Sequence, residues 1–306
     1  MRILARWLIG LGGFLLAQTA APARALEMDF FYDRPSAANL QETYQQLSSR
    51  NTLAQVHEYL SPLRLPDKIV VRISECGNGE MTRAYASGKD LVICYEYLQR
   101  VGQVARNAKN PDPNDKRDIR DVVIDGALAH AALHFVARSI FDQLKIPIWG
   151  NRNDAADRLA SYMMVAISPE KAREWFYGAG AYFALSGGEA TADFTNLNSP
   201  DSQRFYDHFC FAQGASPADF AKLVGIVAQR IFGGTDADKL TRVFNARAMQ
   251  DQKSKMKAVE GLDPNDKVFR TRFYRRMQLC PLEYRESKST FDRELRSELT
   301  RKDLKR

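Results

Sequence analysis

Two histidines one helical turn apart, His130 and His134, stand in the stretch DGALAHAALHFVARSI. At a spacing of four, both imidazoles project from one face of a helix and can reach a single metal ion. Past His134 comes the string Asn153-Asp154-Ala155-Ala156-Asp157, which offers an amide and two carboxylates. A helix opened by this string can fold back on the first through a short connection and bring a third ligand to the imidazole pair. Such a set would support metal-assisted hydrolysis, in which the metal polarises a carbonyl and acidifies water while a neighbouring carboxylate takes the water's proton.

The elements that must position these groups are readable from periodicity. Residues 119–144 are apolar on nearly all sides across Val122 to Ala137, which predicts a helix buried in a core, stopped by Pro147. A second helix is expected from Asn153 to Ile167, with Leu159, Ala160 and Met163 on its apolar side and Asn153 and Asp154 as capping residues. Upstream, residues 37–60 carry apolar positions at three- and four-residue steps and predict helical segments. The β-branched run Ile69 to Ile73 and the run Leu91 to Tyr95 flank a turn-rich stretch and predict a small antiparallel sheet. Residues 106–118 have nothing to bury and read as a solvated loop, as Gly187-Gly188 and Gly233-Gly234 read as turns. Further helices are expected over 170–182, 202–210, 217–231 and 236–256. After a turn at Cys280-Pro281, residues 287–306 form a charged helix that reads as a solvated tail.

Composition narrows the function classes. The chain has 306 residues, 45% hydrophobic and 26% charged, as ordinary globular proteins do. Residues 1–25 carry a basic start (Arg2, Arg6), an apolar run from Trp7 to Ala17 and a small-x-small site, Ala23-Arg24-Ala25, and so read as a secretory signal peptide cleaved after Ala25. The run is shorter than the roughly 20 residues a bilayer span needs, so no stable membrane insertion is expected after cleavage, and the destination is secreted or periplasmic. The formal charge of +7 includes Arg2, Arg6 and Arg24 of that leader; without them it is +4. A charge this dilute does not make the basic face that nucleic acid requires. Phosphate-cradling glycine loops, C-x-x-C and the G-x-S-x-G elbow do not occur. The exported part holds four cysteines, Cys76, Cys94, Cys210 and Cys280, and an even number in an oxidising compartment predicts two disulfides. Three pairings are open; the short turn-rich segment between Cys76 and Cys94 favours that pair, with Cys210 joined to Cys280. Residues 26–306 are expected to form one α+β unit.

The strings HAALH, IPIWG and NDAAD, with ECG and CYE upstream and QRFYDHFC and LCPLEY downstream, resemble the metallopeptidase-like family catalogued as domain of unknown function 4344. Its signature is H-E-x-x-H, a short Pro-Gly connection, then E-D-A-A-D. The resemblance spans residues 69–284 and implies a mostly helical, zincin-like fold with two metal-binding histidines on one helix and a carboxylate ligand on the next. It also supports the disulfide pairing above. Two departures bear on chemistry. Ala131 stands where the family has the general-base Glu, and Asn153 stands where it has the third zinc ligand. Asp157 matches the acid that orients a metal-bound His through its free ring nitrogen. Asp154 and Asp157 are the two acids available to complete a metal site. His57 and His208 read as ordinary surface or partly buried residues, and Asn198 aligns with a His of the family. The resemblance with its departures implies a pseudoenzyme holding zinc weakly or not at all, with a polypeptide or protein as ligand. The alternative is a working zinc peptidase completed by Asp154 or Asp157.

Overall fold

A computed structural model describes residues 28–295 except 62–64, 78–83, 88–89, 109–115, 167–168, 187–197, 221–224, 226, 229–231 and 250. The leader, the Gly187-Gly188 turn, the middle of the loop expected at 106–118, much of the helix expected at 217–231 and the end of the charged tail lie outside the described residues. In chain order the elements are β1 (Met28–Tyr32), α1 (Gln41–Arg50), α2 (Thr52–Leu60), β2 (Ile69–Ser74), β3 (Ala84–Ser87), β4 (Asp90–Cys94) and α3 (Tyr95–Val104). They continue with α4 (Ile119–Gln143), α5 (Arg152–Ala166), α6 (Pro169–Ser186), α7 (Asp201–Ala215), α8 (Gly234–Ala248), α9 (Gln252–Val259) and α10 (Arg272–Leu295).

The sheet corrects the expected antiparallel pairing. Its order is β1-β2-β4-β3; β1 pairs parallel with β2, and β2 pairs parallel with β4. The antiparallel contact is confined to β3, which lies on the far side of β4. Segment 75–89 is long enough to return the chain for a parallel partner, and Leu91, Val92, Ile93 and Cys94 are all buried, the continuous apolar pattern of a strand covered on both faces. Parallel register sets Ser74 opposite Cys94, so Cys76 and Cys94 meet at one end of the sheet and form a disulfide with Cα atoms 5.5 Å apart. β1, unexpected from sequence, adds the outer strand with Met28 opposite Ile69.

Helix α4 is the axis of the molecule, and the expectation of burial on all sides holds: Val122 to Ala137 are buried without interruption. Asp118 caps its N-terminus through Arg120 N–H at 2.9 Å, and Asp125 ties it to α1 and α2 through Arg50 Nε at 3.0 Å and Thr52 Oγ at 2.9 Å. Helix α6 crosses α4 where glycine meets glycine: a Cβ on Gly126 would stand 2.5 Å from Ala179 N and 2.6 Å from Gly178 Cα. The crossing is thus closer than any side chain permits. The main core gathers around α4 from the sheet and from helices α1 to α6, while a second apolar cluster joins α7, α8 and α10 around Phe209, Leu240, Phe244 and Met277. Cys210 on α7 and Cys280 on α10 are joined by the second disulfide inside that cluster.

Two helical expectations change. The segment 236–256 is two helices, because Met249 is extended and Asp251 caps the second through Ser254 N–H. The turn expected at Cys280-Pro281 is instead the interior of α10. There the disulfide fixes Cys280 to α7, and Gly214 packs directly against the Cys280 carbonyl and Tyr284 Cβ, so tertiary packing outweighs the local cost of a helical proline.

Replacing Gly178 with Ala drives a methyl group into the Val122 carbonyl. The expected result is destabilisation by roughly 1–3 kcal/mol or more, read as a lower urea midpoint at unchanged slope.

Candidate metal centre

Helix α4 presents His130 and His134 from its buried length, at 3% and 6% exposure, with ring centroids 6.3 Å apart. Helix α5 is capped by Asn151, whose Oδ1 accepts from Asn153 N–H at 2.8 Å. Asn151, rather than the expected Asn153 or Asp154, therefore starts this helix. One turn further, Asp157 sets its Oδ1 2.7 Å from His134 Nδ1 and 3.6 Å from His130 Nε2. The first distance is a hydrogen bond and the second is not. Because a carboxylate accepts, His134 donates from Nδ1, which in the neutral ring leaves the lone pair on Nε2.

Helix α7 supplies the group that sequence reasoning missed. Arg204, 4% exposed, donates Nε to Asp157 Oδ2 at 2.7 Å and Nη2 to Oδ1 at 2.9 Å. This is the two-point fork that matches guanidinium to carboxylate. The same guanidinium lies over the Phe183 ring at 4.3 Å and reaches Asp201 Oδ1 at 3.2 Å, while Asp201 Oδ2 accepts from Ser186 Oγ at 2.7 Å. A signal existed in the QRF string, but an arginine one turn into a helix does not by itself name its partner.

His208, read from sequence as an ordinary histidine, is fully enclosed. It stacks on Phe176 at 4.2 Å and meets His130 edge-on at 5.4 Å. Its Nε2 donates to the Phe176 carbonyl at 3.2 Å, so Nδ1 accepts from Ser161 Oγ at 3.1 Å. Burial pushes this imidazole down to about 3. His57 lies elsewhere, edge-on to Phe30 of β1.

The other sequence-derived positions divide. Ala131 is buried in the main core beside His130 and brings only a methyl group. Asn153 is half-buried in the first turn of α5. Asp154 accepts from Ser199 Oγ at 2.8 Å, next to Asn198. A small cavity of about 20 Å³, room for one water, is lined by His130, Asp154, Asp157, Ser161, Arg204 and His208 among others.

Catalytic zinc takes three protein ligands and an open position. Among the described residues, the ligand atoms of one such trio lie within 4.8 Å of one another, Cys76, Cys94 and Glu96, and there the sulfurs are joined to each other. At the imidazole pair both Asp157 oxygens are engaged by Arg204 and one also by His134. Asp154 lines the small cavity with His130 and accepts from Ser199, but among the described residues the two imidazoles and a carboxylate do not bring their ligand atoms within 4.8 Å of one another. As placed, they do not fit a catalytic zinc.

Two outcomes test the cluster. Arg204→Met should cost about 3–5 kcal/mol by leaving a largely buried carboxylate unpaired, and adding Asp157→Asn should restore part of it in a double-mutant cycle. The second concerns pH: the unfolded chain protonates His208 near its ordinary 6.5, the folded chain only near about 3. Its contribution to stability is therefore full above about 6.5 and declines as pH falls from there towards 3, by up to about 1.4 kcal/mol per pH unit. Urea midpoints at several pH values should show that slope, reduced in His208→Gln.

The family model described as "Putative metallopeptidase" matches residues 32–240, from the end of β1 into α8. No curated protein and no solved structure matches the chain. The matched segment carries β2 to β4, the paired histidines of α4, the acids of α5 and Arg204 of α7. The chain belongs to this metallopeptidase-like family, domain of unknown function 4344.

Proposed function

We propose that this chain is an exported, metal-free member of the family that has lost hydrolysis and acts as a binding or structural scaffold. The observation that carries the reading is the side-chain inventory at the imidazole pair. Position 131 has a methyl group where a proton acceptor would be needed, and the carboxylate on hand, Asp157, is held by Arg204 and His134. Loss of a general base typically removes about 10²- to 10⁴-fold of rate. Charge balance points the same way. The pattern that the resemblance implies has carboxylates at 131 and 153 that a dication would help to offset; here both are neutral side chains, and Asp157 is paired with Arg204, which also reaches Asp201. Export is supported by the leader pattern and by the two disulfides. No helix among the described residues is long and apolar enough to cross a membrane.

A second reading, a working zinc peptidase, is favoured by one observation: Asp154 lines the same cavity as His130 and Asp157. Zinc analysis separates the two. The wild-type mature chain, dialysed against zinc and then buffer, should retain none and show no rise in melting temperature, since only a ligand of the native form raises it. Ala131→Glu with Asn153→Glu should melt lower in EDTA and recover with zinc. Stoichiometric zinc in the wild type, lost in His134→Ala, together with metal-dependent cleavage of a peptide library, would overturn the scaffold reading.

A further inference from the structure

Asp154 and Arg158 line two depressions at once, the small cavity at His130 and a groove of about 610 Å³ on the outer side of α5. The groove is walled by the connection 145–151 and by α10, with Phe141, Ile146, Ile148 and Phe291 as its apolar surfaces. Its volume is in the range of ligand sites. Trp149, which also lines it, is 95% exposed. Leu279 and Leu282, at 49% and 43% exposure, sit one helical turn before Glu283 and Glu286, which line the α10 wall. Three of the five large apolar side chains exposed among the described residues thus lie in this groove or on its continuation along α10, more than isolated surface residues require.

The connection that carries Trp149 leaves α4 through a tight turn, in which Lys145 is left-handed at φ 52° and Ile146 N–H donates to the Phe141 carbonyl at 3.0 Å.

Polar groups set the chemistry of the occupant. Glu283 is paired with Arg276, and Asp154 is bonded by Ser199. Arg158 is exposed and, among the described residues, has no ion pair or hydrogen bond. It stands where the groove meets the cavity, and its planar fork is complementary to a carboxylate. Glu286 on the α10 wall is available to accept backbone N–H donors.

We propose that this groove receives the C-terminal end of a polypeptide, with its terminal carboxylate on Arg158 and a large apolar side chain against Trp149 and Phe291. The proposal rests on the reading of the chain as a binding protein and names the class of its ligand.

The test uses Trp149 as its own reporter, because the other tryptophan of the mature chain, Trp175, is 1% exposed. The mature chain in EDTA is titrated with N-acetyl-Ala-Ala-Ala-Leu as free acid and as amide. The expected result is a saturable change in emission with the free acid, lost in Trp149→Phe. Binding should be about tenfold or more weaker for the amide, and for the free acid with Arg158→Gln, as the removal of one charge-assisted contact implies. Both substituted residues are exposed, and unchanged melting temperatures would show that the variants fold. The proposal is overturned by absence of a saturable change or by equal binding of acid and amide. It is also overturned by octanoate binding as tightly as the peptide, which would give the groove to a fatty-acid chain. An emission change that follows protein concentration together with the sedimentation coefficient would give it to a second copy and likewise overturn it. Zinc uptake by the wild type would sink the scaffold reading without altering this titration, and loss of peptide binding would leave the zinc result standing.

Discussion

The carboxylate of Asp157 is the point on which the centre of the molecule depends. It accepts from Arg204 at both oxygens and from His134 at one, so a single side chain of α5 ties together α4 and α7. A buried carboxylate is tolerated when its charge is matched and its lone pairs are used. Both conditions hold here through a planar guanidinium that is itself enclosed, stacked on Phe183 and bonded to Asp201. The orientation of His134 follows from this arrangement. With Nδ1 committed to Asp157, the ring cannot rotate freely, and its tautomer is set without any group on the other nitrogen.

What orients the imidazoles is thus separable from what would react. The orienting chain from Arg204 through Asp157 to His134 is complete within the protein. In the proposed reading, the third charged ligand and the proton acceptor of a zinc peptidase correspond to positions 153 and 131, where this chain has an amide and a methyl group. His208 adds to the same separation: held neutral by burial and fixed by Ser161 and Phe176, it packs against His130 as a ring.

The parts of this arrangement that were legible in the sequence are those that depend on local spacing. The buried character of α4, the back-folded α5 and the two disulfides follow from periodicity, motif order and cysteine placement, and the contact of Asp157 with a histidine is what the family resemblance implies. The sheet was misread, although the cysteines held the correction. An antiparallel pairing of Ile69–Ser74 with Asp90–Cys94 would put Cys94 beside the start of β2, several residues from Cys76, so the favoured disulfide and the favoured sheet exclude each other. β-branched runs report that strands exist, not which way they run. Arg204 and the Gly126–Gly178 crossing were unreadable for a different reason: each acquires meaning from a partner more than 40 residues away, and nothing in the local pattern names that partner.

In the scaffold reading proposed above, charge links the two departures from the pattern that the resemblance implies. A glutamate at 131 would sit in the core, where Ala131 is 4% exposed, and with no dication its ionised form would carry a desolvation penalty and the repulsion of Asp157. A second glutamate at 153 would add to that repulsion, while Arg204 is already shared between Asp157 and Asp201. With neutral side chains at both positions, no further acid is added beside the two carboxylates, Asp157 and Asp201, that Arg204 already pairs with. The fold keeps its central tie between α4, α5 and α7 through His134, Asp157 and Arg204.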